Sequence, residues 1–312
     1  VTGRARAAGL LLGVAADAVF GDPRRGHPVA AFGALASELE RRGYADTRAA
    51  GIRHAGALVG AAVLLGAVAE RACRRRPVLR GALTAVATWA VLGGASLAGE
   101  GVALAGELER DDLDAARRRL PSLCGRDPAS LDADGMARAG VESLAENTSD
   151  AVVAPLLWGA MAGAPGLLAY RAANTLDAMA GYRSARYARF GWASARLDDA
   201  ANLVPARVAA LLFVALAPAV GGSPRAALTA CLRDARAHPS PNAGPVEAAA
   251  AGALGVRLGG RTVYAHGVEQ RPTLGSGRAP RIADLRRAAR LSRLVGVAAA
   301  LSAAAALALG RR

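Results

Sequence analysis

Six apolar runs, at about residues 7–20, 55–69, 81–99, 151–170, 203–222 and 294–310, divide this 312-residue chain and limit what it can become. A helix that crosses a bilayer needs roughly 17–25 apolar residues. Residues 81–99 and 294–310 meet that requirement most cleanly. The 55–69 run is short, 7–20 contains Asp17, and 203–222 holds Pro205, Arg207 and Pro218. Several runs lack a polar face, which argues against buried helices of a large soluble bundle. The expected fold is an all-α membrane protein: one integral domain over 1–312, a multi-pass bundle with four to six spanning segments. Polar helical connections join them, with a small β-hairpin near 256–264.

The charge pattern supports this. The net charge is +14, and arginine supplies every basic side chain. Arginines flank several apolar runs. RACRRRPVLR (71–80) is the strongest cytoplasmic signal under the positive-inside rule. There is no zinc-finger spacing, no RNA-binding aromatic signature and no basic helix outside the apolar framework, so nucleic acid is excluded as a partner. Cys73, Cys124 and Cys231 are scattered and form no CxxC pair, which argues against a disulfide framework or a zinc site. The N-terminal arginines with Ala7–Val14 read as a retained helix, because no small-residue cleavage site precedes GDPRRGHP. VRLGGRTVY reads as a hairpin with Gly259-Gly260 at the turn.

The chemistry-bearing residues lie between the runs. In ESLAENTSDAVVAPLLW (142–158), Glu142, Glu146 and Asp150 recur at i, i+4, i+8 and form one acidic stripe on a helix. Glu146 and Asp150 are spaced to share a divalent cation; a helix end or a solvated face is the purely structural alternative. In YRAANTLDAMAGYRSARYARFG (170–191), Asn174 and Asp177 share a face, with Arg171, Arg183 and Arg186 around them, a set suited to a metal-bound phosphate. In SARLDDAANLVPARVAALL (194–212), Asp198 and Asn202 are an i, i+4 pair beside Asp199, with metal binding and helix capping both open. HPSPNAGPVEAAAAGALG (238–255) begins a helix near Asn242 with Pro245 early in it, and offers free amides to an anion. DAVFGDPRRGHP adds Asp17, Asp22 and His27. A Walker P-loop cannot occur without lysine, and no GxGxxG, HExxH or GxSxG motif is present. Pro155, Gly163, Pro165 and Gly166 are breakers, so the 151–170 run is expected to bend, with Asp150 and Asp177 facing one cavity.

Taken in order, GDPRRGHPVAAFG, ESLAENTSDAVVAPLLW, YRAANTLDAMAGYR, ARLDDAANLVPAR and SPNAGPVEAAAAGALGVRLGG make the chain closely resemble the CobD/CbiB family, the adenosylcobinamide-phosphate synthases of cobalamin biosynthesis, over about residues 7–305. The resemblance implies a multi-pass enzyme of the cell membrane. It would join adenosylcobyric acid to (R)-1-amino-2-propanol or its O-phosphate through an amide bond, using ATP and Mg2+. It also implies contact with membrane lipid and association with other membrane enzymes of the pathway. Fitted to that reaction, Glu146, Asp150, Asp177, Asp198 and Asp199 are assigned to the metal. Arg171, Arg183, Arg196 and Arg207 would hold phosphates, while Asn147, Asn174 and Asn202 orient phosphate or amide groups. Ser240 and Asn242 would contact the corrinoid rim or a phosphate, and His27 and Glu142 are the candidate bases. Two rivals remain: a Mg-dependent membrane transferase acting on a diphosphate, and a non-catalytic signalling or transport relative. Against the first, Asn174 stands where the DxxDGxxAR pattern begins with aspartate.

Overall fold

A computed structural model describes residues 2–23, 26–181, 184–264 and 267–310. Its helices in chain order are α1 (Thr2–Phe20), α2 (Pro28–Gly43), α3 (Arg48–Cys73), α4 (Pro77–Val91), α5 (Gly94–Glu109), α6 (Leu113–Arg119), α7 (Ala133–Thr148), α8 (Ala154–Ala180), α9 (Tyr187–Phe190), α10 (Trp192–Leu216), α11 (Pro224–Asp234), α12 (Ala243–Leu254) and α13 (Ile282–Leu309). Strands β1 (Leu258–Tyr264) and β2 (Gly267–Leu274) form one antiparallel pair. Among the described residues, five helical stretches are long and apolar enough to cross a membrane: Arg48–Cys73, Pro77–Glu109, Ala133–Ala180, Trp192–Val220 and Ile282–Leu309. The protein is thus a multi-pass helical membrane protein with a small two-stranded sheet. The chain divides into two compact units, one of Val1–Gly93, Ala154–Asn202 and Ala299–Arg312, the other of Gly94–Val153 and Leu203–Ala298.

In the first unit, small residues set how closely the helices approach. In hydrocarbon, apolar surface gains nothing by leaving lipid, so helices associate by tight packing through Gly, Ala, Ser and Thr. GLLLG (9–13) on α1 does this against α4. A Cβ on Gly9 would lie 2.5 Å from the Gly81 carbonyl, and one on Gly13 would lie 2.5 Å from Thr88 Cβ. Gly66 of α3 likewise meets the backbone of Pro165 in α8, where an added Cβ would be 2.6 Å from its nitrogen. The outer side of α3 leaves Ile52, Val63, Leu64, Leu65 and Val68 exposed, a face fitted to hydrocarbon.

The expected bend in α8 is present. Gly163 has φ +69° and ψ −146°, a conformation open mainly to glycine, with Pro165 two residues on. Glu70 caps the restarted helix by accepting from the Ala164 amide at 3.1 Å. Arg6 at 3.8 Å and Arg80 at 3.6 Å balance its charge.

The second unit is built around α12, which is buried at every position except Pro245. A helix apolar all round belongs in a core, and alanine lets its neighbours approach closely. Arg287 closes its C-terminus by donating to the carbonyls of Leu254, at 2.8 Å, and Val220, at 2.9 Å. The sheet is tied to α7 by Arg138, which donates to the carbonyls of Gly259 (2.9 Å) and Arg261 (2.8 Å).

Three details differ from the sequence expectations. Gly259 and Gly260 do not form the hairpin turn. With φ of +84° and +86° they make a bulge inside β1, which continues to Tyr264 and pairs there with Gly267 of β2; 265 and 266 fall outside the described residues. The 81–99 run is not one straight helix, because the chain is extended at Leu92 (ψ 160°) before restarting at Gly94. The 7–20 run is helical, but α1 carries Arg4, Arg6 and Asp17 and is not among the five apolar stretches.

Candidate functional site

In the first unit, α8 and α10 present two i, i+4 pairs to each other. Asn174 donates to one oxygen of Asp198 at 3.2 Å, and Asn202 donates to the other at 3.0 Å. The Tyr170 hydroxyl donates to Asn202 at 2.8 Å. Tertiary packing therefore joins YRAANTLDA to LDDAAN around one buried carboxylate. Asp199, next in sequence, faces outward and pairs with exposed Arg196 at 3.1 Å. Asp177 lies in the last turn of α8, where a negative charge opposes the helix dipole. It packs directly over Gly181, where an added Cβ would collide with its carboxylate. Arg171 and Thr175 border a cavity of about 270 Å³, otherwise lined by apolar side chains such as Phe32, Leu58, Leu65 and Val91. His27 serves as the α2 cap: its Nδ1 accepts from the Val29 amide at 3.1 Å, and its Nε2 lies 3.5 Å from Asp22. Arg183 lies outside the described residues.

In the second unit, α7 opens on Asp132, which accepts from the Gly135 amide at 2.8 Å, and it runs into a π-helical turn, Ser149–Val153. The acids of ENTSD are therefore not at a free helix end. The wider turn interrupts the i, i+4, i+8 register at Asp150. The three acids occupy different settings: Glu142 is buried, Asp150 half-buried and Glu146 exposed. Glu142 accepts from the Arg126 guanidinium, and from the Gly259 amide at 2.6 Å. Asn147 donates to the carbonyl and hydroxyl of Ser143. Exposed Arg207 donates to Asn242 at 3.0 Å. The Ser240 hydroxyl accepts from the amides of Asn242 (3.3 Å) and Ala243 (3.1 Å), so it supplies the cap at the start of α12.

Next to these groups is a cluster that the spacing arguments did not single out. Glu247 is the sole charged residue of buried α12. His238 Nε2 stands 3.8 Å from its carboxyl and 2.9 Å from Arg271 Nη1. Arginine can only donate, so Nε2 accepts. Nδ1 lies 3.1 Å from the Ser240 nitrogen and 3.3 Å from the Ser240 carbonyl oxygen. Burial and the neighbouring Arg271 both hold His238 below the ordinary histidine range. Burial, reinforced by the charge of Glu146, pushes the Glu247 carboxyl up to about 8, against the pull of Arg271 and Arg126. One sequence signal does exist for Glu247: a lone acid in an unbroken alanine helix. Arg126 and Arg271 carry none, because both sit in ordinary polar stretches.

Among the described residues, no three His, Cys, Asp or Glu side chains come close enough to enclose a metal ion. The acids stand singly or in pairs among amides and hydroxyls. That hard-oxygen donor set fits Mg2+ carried on phosphate, since Mg2+ takes one or two carboxylates and keeps its other positions for water and phosphate oxygens.

The family model described as CobD/Cbib protein matches residues 10–292. "Cobalamin biosynthesis protein CobD" of Mycobacterium tuberculosis (strain ATCC 25618 / H37Rv) is 61% identical over 303 residues, covering 97% of this chain and 96% of that protein. The protein of the same name from Geobacter metallireducens is 47% identical over 272 residues, 85% of each chain. That from Rhodobacter capsulatus is 42% identical over 299 residues, 92% of this chain and 93% of the relative. No solved structure matches the chain.

Proposed function

The chain belongs to the CobD/Cbib protein family, and from that premise we propose that it is a cobalamin-biosynthesis enzyme of the cell membrane that forms an amide bond. The acyl partner is adenosylcobyric acid, and the amine is (R)-1-amino-2-propanol or its O-phosphate. Its relatives carry the pathway in their names; the reaction and its ATP requirement are our own reading.

A carboxylate is a poor acyl donor because its leaving group would be oxide. Transfer of the γ-phosphoryl group of ATP to the substrate carboxylate would give an acyl phosphate. Amine attack on that carbon releases phosphate and forms the amide. Positioning and charge stabilisation carry such a reaction. The observation that carries the reading is the Asp198 network, in which Asn174 and Asn202 fix both carboxylate oxygens and Tyr170 fixes Asn202. It holds an acid in one rotamer beside Asp199 and Arg196. One or two of Asp177, Asp198 and Asp199 would hold the Mg2+ that neutralises nucleotide phosphate charge. Arg171 and Arg196 would contact phosphate or carboxylate oxygens. Glu142 has both oxygens engaged by Arg126 and Gly259, so its proposed duty is to position α7 and β1 rather than to move a proton.

The same network speaks against the diphosphate transferase. Asn174 donates to Asp198, and an aspartate in its place would set two carboxylates against each other.

The test uses purified protein in detergent with adenosylcobyric acid, Mg-ATP and each amine, with products read by mass spectrometry. An amide product that requires ATP is expected. Absence of product with both amines, beside a family member that makes it, overturns the reading.

A further inference from the structure

Glu247 and Arg126 share an anomaly. The Glu247 side chain is 7% exposed, and among the described residues no hydrogen bond reaches its carboxyl; His238 lies at ion-pair distance, 3.8 Å. The Arg126 side chain is 8% exposed. One of its terminal nitrogens serves Glu142, while Nη1 is buried without a partner among the described residues. Buried polar groups are nearly always paired, and each exception calls for a reason. Arg126 and Arg271 both lie near enough to act on the charge of Glu247. The cluster thus contains an acceptor that lacks donors and a donor that lacks an acceptor.

We propose that Glu247, Arg126 and Arg271 form the receptor for a small zwitterion, with the ligand's ammonium on Glu247 and an oxyanion a short carbon chain away on the two arginines. The site rests on the ligase reading only for the identity of its ligand, an amino alcohol phosphate. Ammonium supplies the donors that Glu247 lacks, and phosphate accepts from Arg126 Nη1. His238, neutral and held by Arg271 and Ser240, fills the space beside the carboxyl without adding charge. The charge of Glu146 also acts on Glu247, and its sign favours a cation there; Arg271 Nε meanwhile pairs with Glu269 at 3.3 Å. In the ligation, an N–H bond of the ammonium breaks, its proton passes to Glu247, and the freed lone pair attacks the acyl carbon. The second amine proton leaves with the departing phosphate.

Full-length protein in detergent at pH 7 is titrated calorimetrically with 1-amino-2-propanol O-phosphate, with 1-amino-2-propanol and with inorganic phosphate. The zwitterion should bind at least about tenfold more tightly than either half. With Glu247 raised to about 8, its binding should release about one proton, seen by repeating the titration in buffers of different ionisation heat. Glu247→Gln should abolish that release, weaken both amines about tenfold and leave inorganic phosphate unchanged. Equal affinity for phosphate and zwitterion, or undiminished proton release in Glu247→Gln, overturns the proposal. The three-ligand comparison needs no variant, so it decides even if Glu247→Gln fails to fold. Amide formation on the same preparation tests the ligase reading separately: turnover without the zwitterion preference sinks only this site, and preference without turnover sinks only the ligase.

Discussion

The Glu70 carboxylate accepts a hydrogen bond from the Ala164 amide, 3.1 Å away, one residue past the reversed backbone of Gly163. A residue at the far end of α3 thereby terminates the kink in α8, and two arginines, Arg6 and Arg80, hold it there. Removing the acid leaves both arginines and a helix-start amide without their partner. Glu70→Ala is expected to destabilise the fold by about 3–5 kcal/mol, and Glu70→Gln, which still accepts, by less. Unfolding in mixed micelles, followed by circular dichroism, measures both.

Gly163→Ala tests the same kink from the backbone side. A φ of +69° costs a side-chain-bearing residue about 1–2 kcal/mol, and the new Cβ would also collide with Glu70 Oε1. The expected loss therefore exceeds the backbone penalty alone. Gly43→Ala, at a site with open space around it, should unfold like the native protein.

Asp198→Asn keeps the shape of the network but removes the charge, and amide then faces amide where a carboxylate had accepted. Turnover should fall by about a hundredfold or more, with a loss of about 1–3 kcal/mol in stability for the one hydrogen bond that amide cannot accept. Tyr170→Phe, which frees one hydrogen bond, should lose about 1 kcal/mol of stability and a smaller share of turnover. Wild-type rates for Asp198→Asn in the amide-forming assay would remove Asp198 from the site.

Stability should fall as pH rises across the titration of Glu247. In the folded protein its carboxyl is held at about 8, against 4.5 for an unperturbed glutamate. The folded state therefore binds the extra proton between those values. Its contribution is fully present below about 4.5 and is lost as pH rises to about 8, with a slope of at most about 1.4 kcal/mol per pH unit. Glu247→Gln should flatten this dependence and exceed the native protein in stability at pH 8. The unfolding midpoint measured from pH 5 to pH 8 for both proteins checks the sign.

Breaking the buried Arg126–Glu142 pair should be costly in either direction. Glu142→Ala leaves an uncompensated guanidinium and an unpaired Gly259 amide, and about 3–5 kcal/mol is expected. Because Gly259 lies in β1, the sheet should loosen first, which hydrogen exchange at the β1 and β2 amides would detect.

Much of this protein is legible in the chain alone. Apolar runs of sufficient length become helices because the backbone must satisfy its own hydrogen bonds in hydrocarbon, and that requirement is local. The α8 bend was readable from Gly163 and Pro165, and the start of α12 from Asn242 and Pro245, for the same reason. The order of the polar motifs also sufficed to identify the family. What the chain could not disclose is which charges meet. Glu142 finds its amide partner 117 residues away in β1, Asn174 meets Asp198 across two helices, and Glu247 shares a cluster with Arg271. The hairpin turn was misplaced because a positive φ serves a bulge as readily as a turn, and only pairing with β2 selects between them. Ion pairs, burial and shifted acidity depend on groups brought together by packing, so the tertiary structure alone decided them.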